Sequence, residues 1–572
     1  MIRFIKRYAL TYLPYYLLGL VALIITNYVA TLIPLLIKDI VDLISTQQFD
    51  FQPVLKHLKS IVFLALILAV SRTFSRVLIF YPGRAIEYDL RRDLFEKLLS
   101  MPPAFYRKQK IGDLMSRMIN DIQSLRATAA LGYLHIINTS MIYSIVFFQM
   151  ARIDLTLTIL VILPIPIMMF STRFFVKHLY RSIRACQERL GDLSNFFVES
   201  LSNISIIKSY AAESAILGQF NTKNDDYFKH NLRLARVRSS MFPFIGIIGN
   251  VGQLLLLLLG APLILNASLS IGEFVALSAY IMMLSWPTAS LAWIINIIQR
   301  GKSSWERIES IFHTKSDFIG SESLKTADTG LDISLNNLSF SYDKEPVLKD
   351  ITLRIKPGES VGVFGGTASG KSSLLRIIAG LEHVQHMSVN NQNFSDIAID
   401  LYRQHISYVS QEAFLFSLSI LENISFDTTF NDAVERAAKR ACVDADIQSF
   451  TEAYKTIVGE KGVVLSGGQK SRIALARAFY KPSKLLILDD VLSAVDHDTE
   501  KDMIHELFDK KQLNQSLVLS SHRISALLRC DVIYILDNGR IVESGTHSEL
   551  LARSEVYKHT FEYQQMVEKE HG

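Results

Sequence analysis

Cysteine is scarce in this sequence, which has only three among 572 residues. Cys186, Cys442 and Cys530 lie far apart, and none of them stands in CxxC spacing. Because the cysteines are neither paired nor clustered, the sequence predicts no disulfide framework and no zinc site. We expect three ordinary thiols in reducing surroundings.

A strong charge excess is also missing, and the sequence predicts no cleavable secretory signal. The formal net charge is +5, from 60 basic and 55 acidic side chains, which is too small to favour nucleic acid as a partner. The first residues, MIRFIKRY, lead into an apolar stretch that is too long for a signal peptide and has no small-residue cleavage pattern. This start is typical of a short cytoplasmic basic segment that precedes a first membrane helix.

Apolar residues are what the sequence has in excess, at 49% of the chain. They are concentrated before about residue 300, so the two halves are suited to different solvents. A chain of this length exceeds what one hydrophobic core supports and predicts roughly two to four domains. The first half is suited to a lipid bilayer.

Six stretches of the first half are long and apolar enough to cross a bilayer, which takes about 20 helical residues. They are Leu13–Leu36, His57–Phe80, Leu131–Ala151, Leu155–Val176, Phe242–Leu265 and Ile271–Trp293. Two long loops, after the second and fourth stretches, are rich in lysine and arginine, so we place both loops and both termini in the cytosol. Residues 84–126 and 178–238 have helical apolar spacing, which predicts that the membrane helices continue into these loops.

Two arginines interrupt the second stretch. Arg72 and Arg76 are one helical turn apart on one face. Cations inside a membrane often mark a transport pathway or an internal ion pair. Snorkelling of long side chains to the cytoplasmic interface explains them equally well, so we assign them no role in binding.

The first functional motif of the second half is a phosphate-binding loop. Residues Gly365–Ser372 read GGTASGKS, a full match to GxxxxGK[ST], between the strand VGVF and the helix SLLRIIAGL. Such a loop surrounds phosphates with backbone N–H groups at a helix N-terminus, while Lys371 reaches the β- and γ-phosphates and Ser372 binds Mg²⁺. The predicted nucleotide-binding residues here are Gly365, Gly366, Thr367, Ala368, Ser369, Gly370, Lys371, Ser372 and Ser373.

A second apolar strand, Leu485–Leu488, ends in the carboxylates Asp489 and Asp490. Parallel α/β sheets bind ligands at the carboxyl ends of their strands. We therefore predict that this pair lies beside the phosphates and is placed to hold Mg²⁺.

These motifs and four others occur in the order found in ABC transporters. GGTASGKS is followed by Gln411 after the strand ISYVS, LSGGQ at Leu465–Gln469, LLILDD at Leu485–Asp490, SAVD at Ser493–Asp496, and His522 in SSHR. The second half thus resembles an ABC transporter ATPase, and the first half resembles the six-helix exporter domain of that family. The resemblance implies a membrane all-α six-helix exporter domain at 1–313, a linker at 314–330 and an α/β P-loop ABC ATPase domain at 331–572.

The resemblance also implies roles for individual residues. Tyr342 would stack on adenine, Gln411 would contact Mg²⁺ and the attacking water, and His522 would contact the γ-phosphate. The LSGGQ residues would reach the ATP of a second ATPase domain, so a chain with one such domain works in a dimer. The implied catalytic residues are Asp490, His522 and Gln411, the metal ligands are Ser372, Gln411 and Asp489, and the further nucleotide ligands are Tyr342, Ser466, Gly467, Gly468, Gln469 and Asp496.

Two segments of the long loops, Phe105–Ile122 and Glu199–Glu213, resemble the segments that bear the family's coupling helices. Such short helices would rest on the ATPase domains near Gln411. They would carry nucleotide-driven closure to the membrane helices.

One position departs from the family pattern. The catalytic glutamate that follows the Walker B aspartate is replaced by Asp490, one methylene shorter, which predicts a degenerate ATP site. With an intact LSGGQ, this resembles one half of a heterodimeric exporter, although a homodimer stays possible. The segment Tyr280–Ile308 and ILDDVLSAVD resemble the MdlA/SmdA-type multidrug half-transporters of the bacterial inner membrane.

The resemblance leaves the cargo open. We expect an amphipathic, drug-like small molecule, because the predicted membrane helices combine apolar residues with scattered polar and aromatic ones. A lipid or peptide exporter of the same architecture remains an alternative. So does an ATP-gated channel or regulatory subunit, which the aspartate at position 490 would permit.

Overall fold

The computed structural model describes residues 1–45, 51–314, 320, 322–324, 330–342, 345–459, 465–495, 497–510 and 514–571. Within these ranges, the side chains of residues 165–176, 241–242, 244–249, 289, 292, 494, 497 and 567–571 are not described. The chain divides into two compact units: one comprises Met1–Leu99 and Ile111–Thr314, and the other comprises Ser100–Lys110 and Lys315–Gly572.

Among the described residues of the first unit, helices are joined by short turns and no strand is formed. In chain order, and with α4 belonging to the second unit, the α-helices are α1 Ile2–Phe4, α2 Leu13–Ser45, α3 Phe51–Leu99, α4 Pro103–Lys108, α5 Ile111–Ser116, α6 Ile122–Ala127, α7 Tyr133–Ile153, α8 Leu155–Ile162, α9 Pro164–Ser202, α10 Ile204–Ser209, α11 Glu213–Leu265 and α12 Ile271–His313. Turns of π-helix at Ile5–Ala9, Arg117–Asp121 and Thr128–Gly132 and a short 3₁₀ turn at Leu10–Tyr12 link several of them into longer rods.

Four helical rods are long and apolar enough to cross a membrane, counting only the described residues: Ile2–Ser45, Phe51–Leu99, Ile111–Ile153 and Ile271–His313. The other two predicted spans, Leu155–Val176 and Phe242–Leu265, are helical as well, but each includes residues whose side chains are not described. Asn250–Leu265, in the last of these, is a shorter apolar helical segment.

Several helix features follow directly from the sequence. Helix α12 begins at a capping box, in which Ser270 and Glu273 satisfy each other's backbone N–H groups. Pro164 interrupts the fourth span and starts α9, where the missing N–H of proline costs nothing. Helices α3 and α11 continue well beyond their apolar parts, which confirms that the membrane helices extend into the charged loops.

Short helices lie in both loop segments that were predicted to bear coupling helices. They are α4, Pro103–Lys108, and α10, Ile204–Ser209. The coupling role of both stays a prediction.

The second unit contains two sheets. Its strands are β1 Ile333–Ser341, β2 Pro346–Ile355, β3 Ser360–Gly365, β4 Met387–Val389, β5 Gln392–Asn393, β6 Ile406–Val409, β7 Leu485–Asp489, β8 Ser516–Ser521, β9 Val532–Asp537 and β10 Arg540–Gly545. An antiparallel sheet has the order β2-β1-β4-β5, and a six-stranded sheet has the order β10-β9-β3-β8-β7-β6. Within the larger sheet, β9, β3, β8, β7 and β6 are parallel.

The helices of this unit pack around the larger sheet. They are α13 Lys371–Ile378, α14 Ile399–Gln404, α15 Ile420–Ser425, α16 Asp432–Arg440, α17 Asp444–Ser449, α18 Gly467–Tyr480, α19 His497–Phe508, α20 His547–Arg553 and α21 Glu555–His571. Strand β7 contributes Leu486 and Leu488 to one hydrophobic cluster and Leu485 and Ile487 to another. The sheet is therefore buried on both faces, as the unbroken apolar run of β7 predicted.

The predicted strands VGVF, ISYVS and Leu485–Leu488 are confirmed as β3, β6 and β7. Strands β9 and β10 pair antiparallel as a hairpin, with positive φ at Asn538 and Gly539 in the turn. Because β3, β6, β7 and β8 are parallel, their carboxyl ends meet at one edge of the sheet. That edge carries the candidate site.

Most of the predicted linker, 314–330, lies outside the described residues. Of the part that is described, Glu322 forms a bridge with Ile397, and Leu324 is buried in a cluster of the second unit.

Candidate nucleotide-binding site

The loop between β3 and α13 forms an open backbone cradle. Gly370 has φ +105°, which glycine adopts readily, and Ala368 also has positive φ. A Cβ built on Gly366 would meet nothing within 4 Å, so the mouth of the loop is free. The Ser369 hydroxyl is buried and has no hydrogen-bond partner among the described residues. A loop of this shape suits a triphosphate.

Lys371 closes the cradle from inside. Its Nζ donates to the carbonyl oxygens of Gly365 and Gly366, at 2.8 Å each. Burial lowers the pKa of this ammonium, while the nearby charges of Asp490 and Asp489 act in the opposite direction. The lysine is therefore held at the phosphate side of the loop, facing the carboxylate pair.

Asp489 is fixed at the carboxyl end of β7. It is 2% exposed, and its Oδ1 accepts a 2.8 Å hydrogen bond from the Ser520 hydroxyl on the adjacent strand β8. Its Oδ2 lies 3.5 Å from the Tyr408 hydroxyl, which donates from β6. Burial raises the pKa of Tyr408, and the charge of Asp489 adds to this effect, so the phenol remains a donor.

Asp490 points toward two other predicted residues. Gln411 Nε2 donates to its Oδ2 at 3.4 Å, and His522 Nε2 lies 4.0 Å from the same oxygen. The backbone of Asp490 is left-handed, with φ +51°, and its N–H bonds to the carbonyl and hydroxyl oxygens of Ser520, both at 3.1 Å. Asp490 Oδ1 is buried without a hydrogen-bond partner in the described part of the chain.

Burial raises the pKa of the Asp490 carboxyl above its ordinary value, and the Asp489 charge raises it further. His522 and Lys371 oppose this rise. A carboxylate with a raised pKa and an unpaired oxygen, held beside a glutamine and a histidine, is suited to polarising a water molecule.

Tyr342 follows β1 and lies beside the loop. Its hydroxyl donates to Ser373 Oγ at 3.2 Å, and its ring is nearly perpendicular to that of Phe340, with centroids 4.9 Å apart. The ring is therefore fixed next to α13.

The LSGGQ residues form the start of α18. Ser466 caps the helix, and Gln469 completes a capping box by accepting from the Ser466 N–H at 3.0 Å. The Gln469 amide also donates to Asp446 at 3.0 Å. A Cβ on Gly467 would meet nothing within 4 Å, so the N-terminus of this 14-residue helix is accessible to an anion.

The structure brings together the predicted residues of the loop, Asp489, Asp490, Gln411 and His522 at one sheet edge. Asp496, predicted with the nucleotide ligands, lies outside the described residues. Sequence reasoning missed Ser520 and Tyr408, which hold the carboxylate pair from the neighbouring strands. The available signal was that Ser520 lies two residues before His522 and Tyr408 three residues before Gln411, each on a strand of the sheet.

The donor set fits both ATP and a divalent cation. Backbone N–H groups at a helix N-terminus and a lysine suit phosphates, while the Ser372 hydroxyl, the Gln411 amide and the Asp489 carboxylate supply the oxygen ligands that Mg²⁺ prefers. Bound there, Mg²⁺ would neutralise charge on the phosphates during their cleavage.

Arg72 and Arg76, singled out in the second span, are exposed in this chain and form no ion pair among the described residues. Arg76 lies near enough to His135 to act on it electrostatically. The rings of His135 and Trp293 form a T-shaped pair, with their centroids 5.1 Å apart.

An α/β unit with this loop, this carboxylate pair and a capped glycine-rich helix is a P-loop ATPase domain. Two family models match the chain: the ABC transporter transmembrane region over residues 16–288 and the ABC transporter domain over residues 348–493. The chain belongs to the ABC transporter family.

Curated relatives and a solved structure agree with this assignment. The chain is 32% identical over 558 residues to the multidrug resistance-like ATP-binding protein MdlA of Buchnera aphidicola (Schizaphis graminum), with 96% of each chain covered. It is 31% identical to MdlA of Escherichia coli, with 96% of this chain and 94% of the relative covered. A bacterial Atm1-family ABC exporter with ATP bound has the same fold, with a TM-score of 0.81, 20% identity, and 98% and 99% of the two chains covered.

The first unit is therefore a multi-pass membrane domain, and the second binds and hydrolyses ATP. Hydrolysis is coupled to export, and exporters of this type work as dimers.

Proposed function

We propose that this chain is one half of a heterodimeric exporter of amphipathic, drug-like small molecules in the bacterial inner membrane. The multidrug resistance-like relatives support this cargo class. The cation-rich long loops support a cytoplasmic ATPase domain and cytoplasmic termini. As working boundaries we keep 1–313 for the membrane domain, 314–330 for the linker and 331–572 for the ATPase domain.

The observation that carries the proposal is the cluster at the edge of the larger sheet. Lys371, Asp489, Asp490, Gln411 and His522 come from four separate parts of the chain, yet the charges and hydrogen bonds above join them into one group. The same chain has long apolar helices that can cross a membrane, and ATP hydrolysis would drive transport through them.

Each residue has a defined task in this proposal. The loop Gly365–Ser373 and Lys371 bind the phosphates, Tyr342 stacks on the base, and Ser372, Gln411 and Asp489 hold Mg²⁺. Asp490 orients the attacking water as a general base, and His522 donates toward the γ-phosphate oxygen on which charge develops.

The start of α18 serves the other ATP of the dimer. Ser466, Gly467 and Gly468 present backbone N–H groups at an accessible helix N-terminus, which favours a phosphate. Gln469 acts mainly inside the chain, because its side chain is engaged by Ser466 and Asp446. Asp496 remains a proposed nucleotide ligand.

The site of this chain is degenerate because Asp490 is too short. A glutamate would carry its carboxylate roughly one methylene further, and a misplacement of about 1 Å can cost about 10²-fold in rate. The partner then supplies the competent general base, and this chain completes that site with Ser466–Gly468. The same aspartate favours a second candidate, an ATP-gated channel or regulatory subunit, which binds ATP without pumping.

One experiment separates the two functions. The tagged chain is purified from its native membrane with its partner and reconstituted in proteoliposomes, and ATP hydrolysis and movement of an amphipathic fluorescent dye are measured together. We expect vanadate-sensitive hydrolysis and uphill dye accumulation. The matched control contains a non-hydrolysable ATP analogue, which binds but is not cleaved, and should show neither. Dye flux that only dissipates a gradient would support the channel instead. Purification of this chain alone, with full transport activity, would refute the heterodimer.

A further inference from the structure

The segment Ser100–Lys110 belongs to the ATPase unit, although the chain on both sides of it belongs to the membrane unit. It contains the short helix α4, which begins at Pro103 and ends at Lys108. Helix α3 ends one residue before the segment, and α5 begins one residue after it. The segment is thus covalently continuous with a membrane-unit helix on each side, and a side chain of the segment that contacts the nucleotide site connects that site to both helices.

Arg107 ties the segment to a buried carboxylate. Its Nη1 and Nη2 donate to the two oxygens of Glu382 at 2.6 and 2.8 Å, and Glu382 is 2% exposed. Arg376, on the helix that starts with Lys371, lies 3.2 Å from the same carboxylate. The bidentate geometry fixes the plane of the Arg107 guanidinium, which a lysine could not do.

The fixed guanidinium lies over an aromatic ring. Arg107 Cζ is 4.6 Å from the centroid of Tyr342, within the range of a cation–π interaction. Tyr342 is also held by its hydroxyl on Ser373 and by a T-shaped contact with the ring of Phe340. Its ring is thus oriented by three contacts, and one of the three comes from the segment between the membrane-unit helices.

We propose that Arg107 is a positioning residue for base recognition: its guanidinium packs on one face of Tyr342 and holds the other face for the purine of ATP. This rests on the proposed role of Tyr342 in base stacking. Occupation of the base site and the placement of Ser100–Lys110 are then coupled through one ring, because each stabilises the same orientation of Tyr342.

The test follows nucleotide binding at this chain's own site. The full transporter, with its partner, is photolabelled with 8-azido-ATP, and incorporation into this chain is measured against nucleotide concentration. Arg107→Gln is expected to raise the half-saturating concentration about 3- to 10-fold, in line with the loss of one partly desolvated cation–π contact, with maximal labelling unchanged. Arg107→Lys should give an intermediate value, and Lys108→Gln, which removes an exposed cation of the same helix, should match the wild type.

Two further variants separate positioning from simple structural damage. Loss of Arg107 leaves Glu382 beside Arg376 alone, so Arg107→Gln/Glu382→Gln removes the under-compensated charge while the ring contact stays absent. Its half-saturating concentration should remain raised. In a Tyr342→Leu background, Arg107→Gln should add little, because both changes remove the same stacked arrangement.

Several results would overturn the inference. They are an unchanged half-saturating concentration in Arg107→Gln, full recovery in the double variant with Glu382→Gln, or an additive effect in the Tyr342→Leu background. A lower half-saturating concentration would mean that the guanidinium competes with the base for the ring, and would also overturn it. If the wild-type chain takes up no label at all, the proposed nucleotide site fails instead.

Discussion

At the scale of single residues, Asp490 has the most consequence. Its left-handed backbone is one that aspartate tolerates better than most residues, and its Oδ2 lies between Gln411 and His522. Its other carboxylate oxygen is buried without a partner among the described residues. The surroundings of Asp490 thus suit a general base. Only the length of its side chain differs from that of the glutamate that ABC ATPases usually have at this position.

We expect Asp490→Glu to increase hydrolysis at this chain's own site on the order of 10-fold or more, because the longer side chain moves the carboxylate toward the attacking water. The activity is measured in the purified pair carrying Ser466→Arg in this chain, which removes its contribution to the other site. The control adds Lys371→Ala and should abolish the gain. No change in rate would mean that side-chain length does not limit this site.

The residues of this site were predictable to different degrees. The loop and Asp489 follow from a motif in its strand–helix context, since spacing along the chain determines the cradle. The contacts of Ser520 and Tyr408 with the carboxylate pair could not be predicted from the sequence, because they depend on which strands are neighbours in the sheet. The contact of Arg107 with Tyr342 spans more than 200 residues of sequence, and no local pattern encodes it.

At the scale of elements, the apolar spacing predicted helices and strands well, and their ends less well. Helix α3 runs from Phe51 to Leu99, whereas the apolar stretch alone covers His57–Phe80. The charged continuation adds no hydropathy signal, so only its amphipathic spacing revealed it. The hairpin β9–β10 was predictable because Asn538 and Gly539 adopt the positive φ that its tight turn requires.

The start of α18 gives a prediction in which stability and activity diverge. Gly467→Ala should leave the melting temperature unchanged or slightly higher, because its Cβ meets nothing and alanine favours helix over glycine by up to about 1 kcal/mol. ATP hydrolysis by the pair should fall at least about 10-fold, since the added methyl group stands where the other subunit's triphosphate must approach the backbone. Both quantities are measured on the reconstituted transporter.

Gly191→Ala is the matched control, because Gly191 lies within helix α9 and is equally open. This variant should show a similar or larger gain in melting temperature with full hydrolysis. Full hydrolysis by Gly467→Ala would show that the start of α18 does not contact nucleotide.

At the scale of the whole molecule, we assign the two motifs of this chain to different ATP sites. Lys371 lies in the chain's own cradle, whereas the accessible start of α18 has no phosphate loop opposite it within the part of this chain that is described. A dimer resolves this, because each site then takes a loop from one subunit and a glycine-rich helix from the other. If only the partner's loop site is competent, mutations of the two motifs in this chain should have unequal effects.

We therefore expect Ser466→Arg in this chain to remove most ATP hydrolysis of the pair, since it blocks the competent site formed on the partner's loop. Lys371→Ala should remove only a minor share, because it inactivates the weak Asp490 site. Hydrolysis is measured on pairs purified through one tag on each subunit, with 8-azido-ATP labelling to verify that Lys371→Ala has lost nucleotide. In a homodimer both sites are identical and each needs both motifs, so the two variants would lose activity equally. Equal loss would thus refute the unequal pair of sites, whereas a deep loss confined to Ser466→Arg would support it.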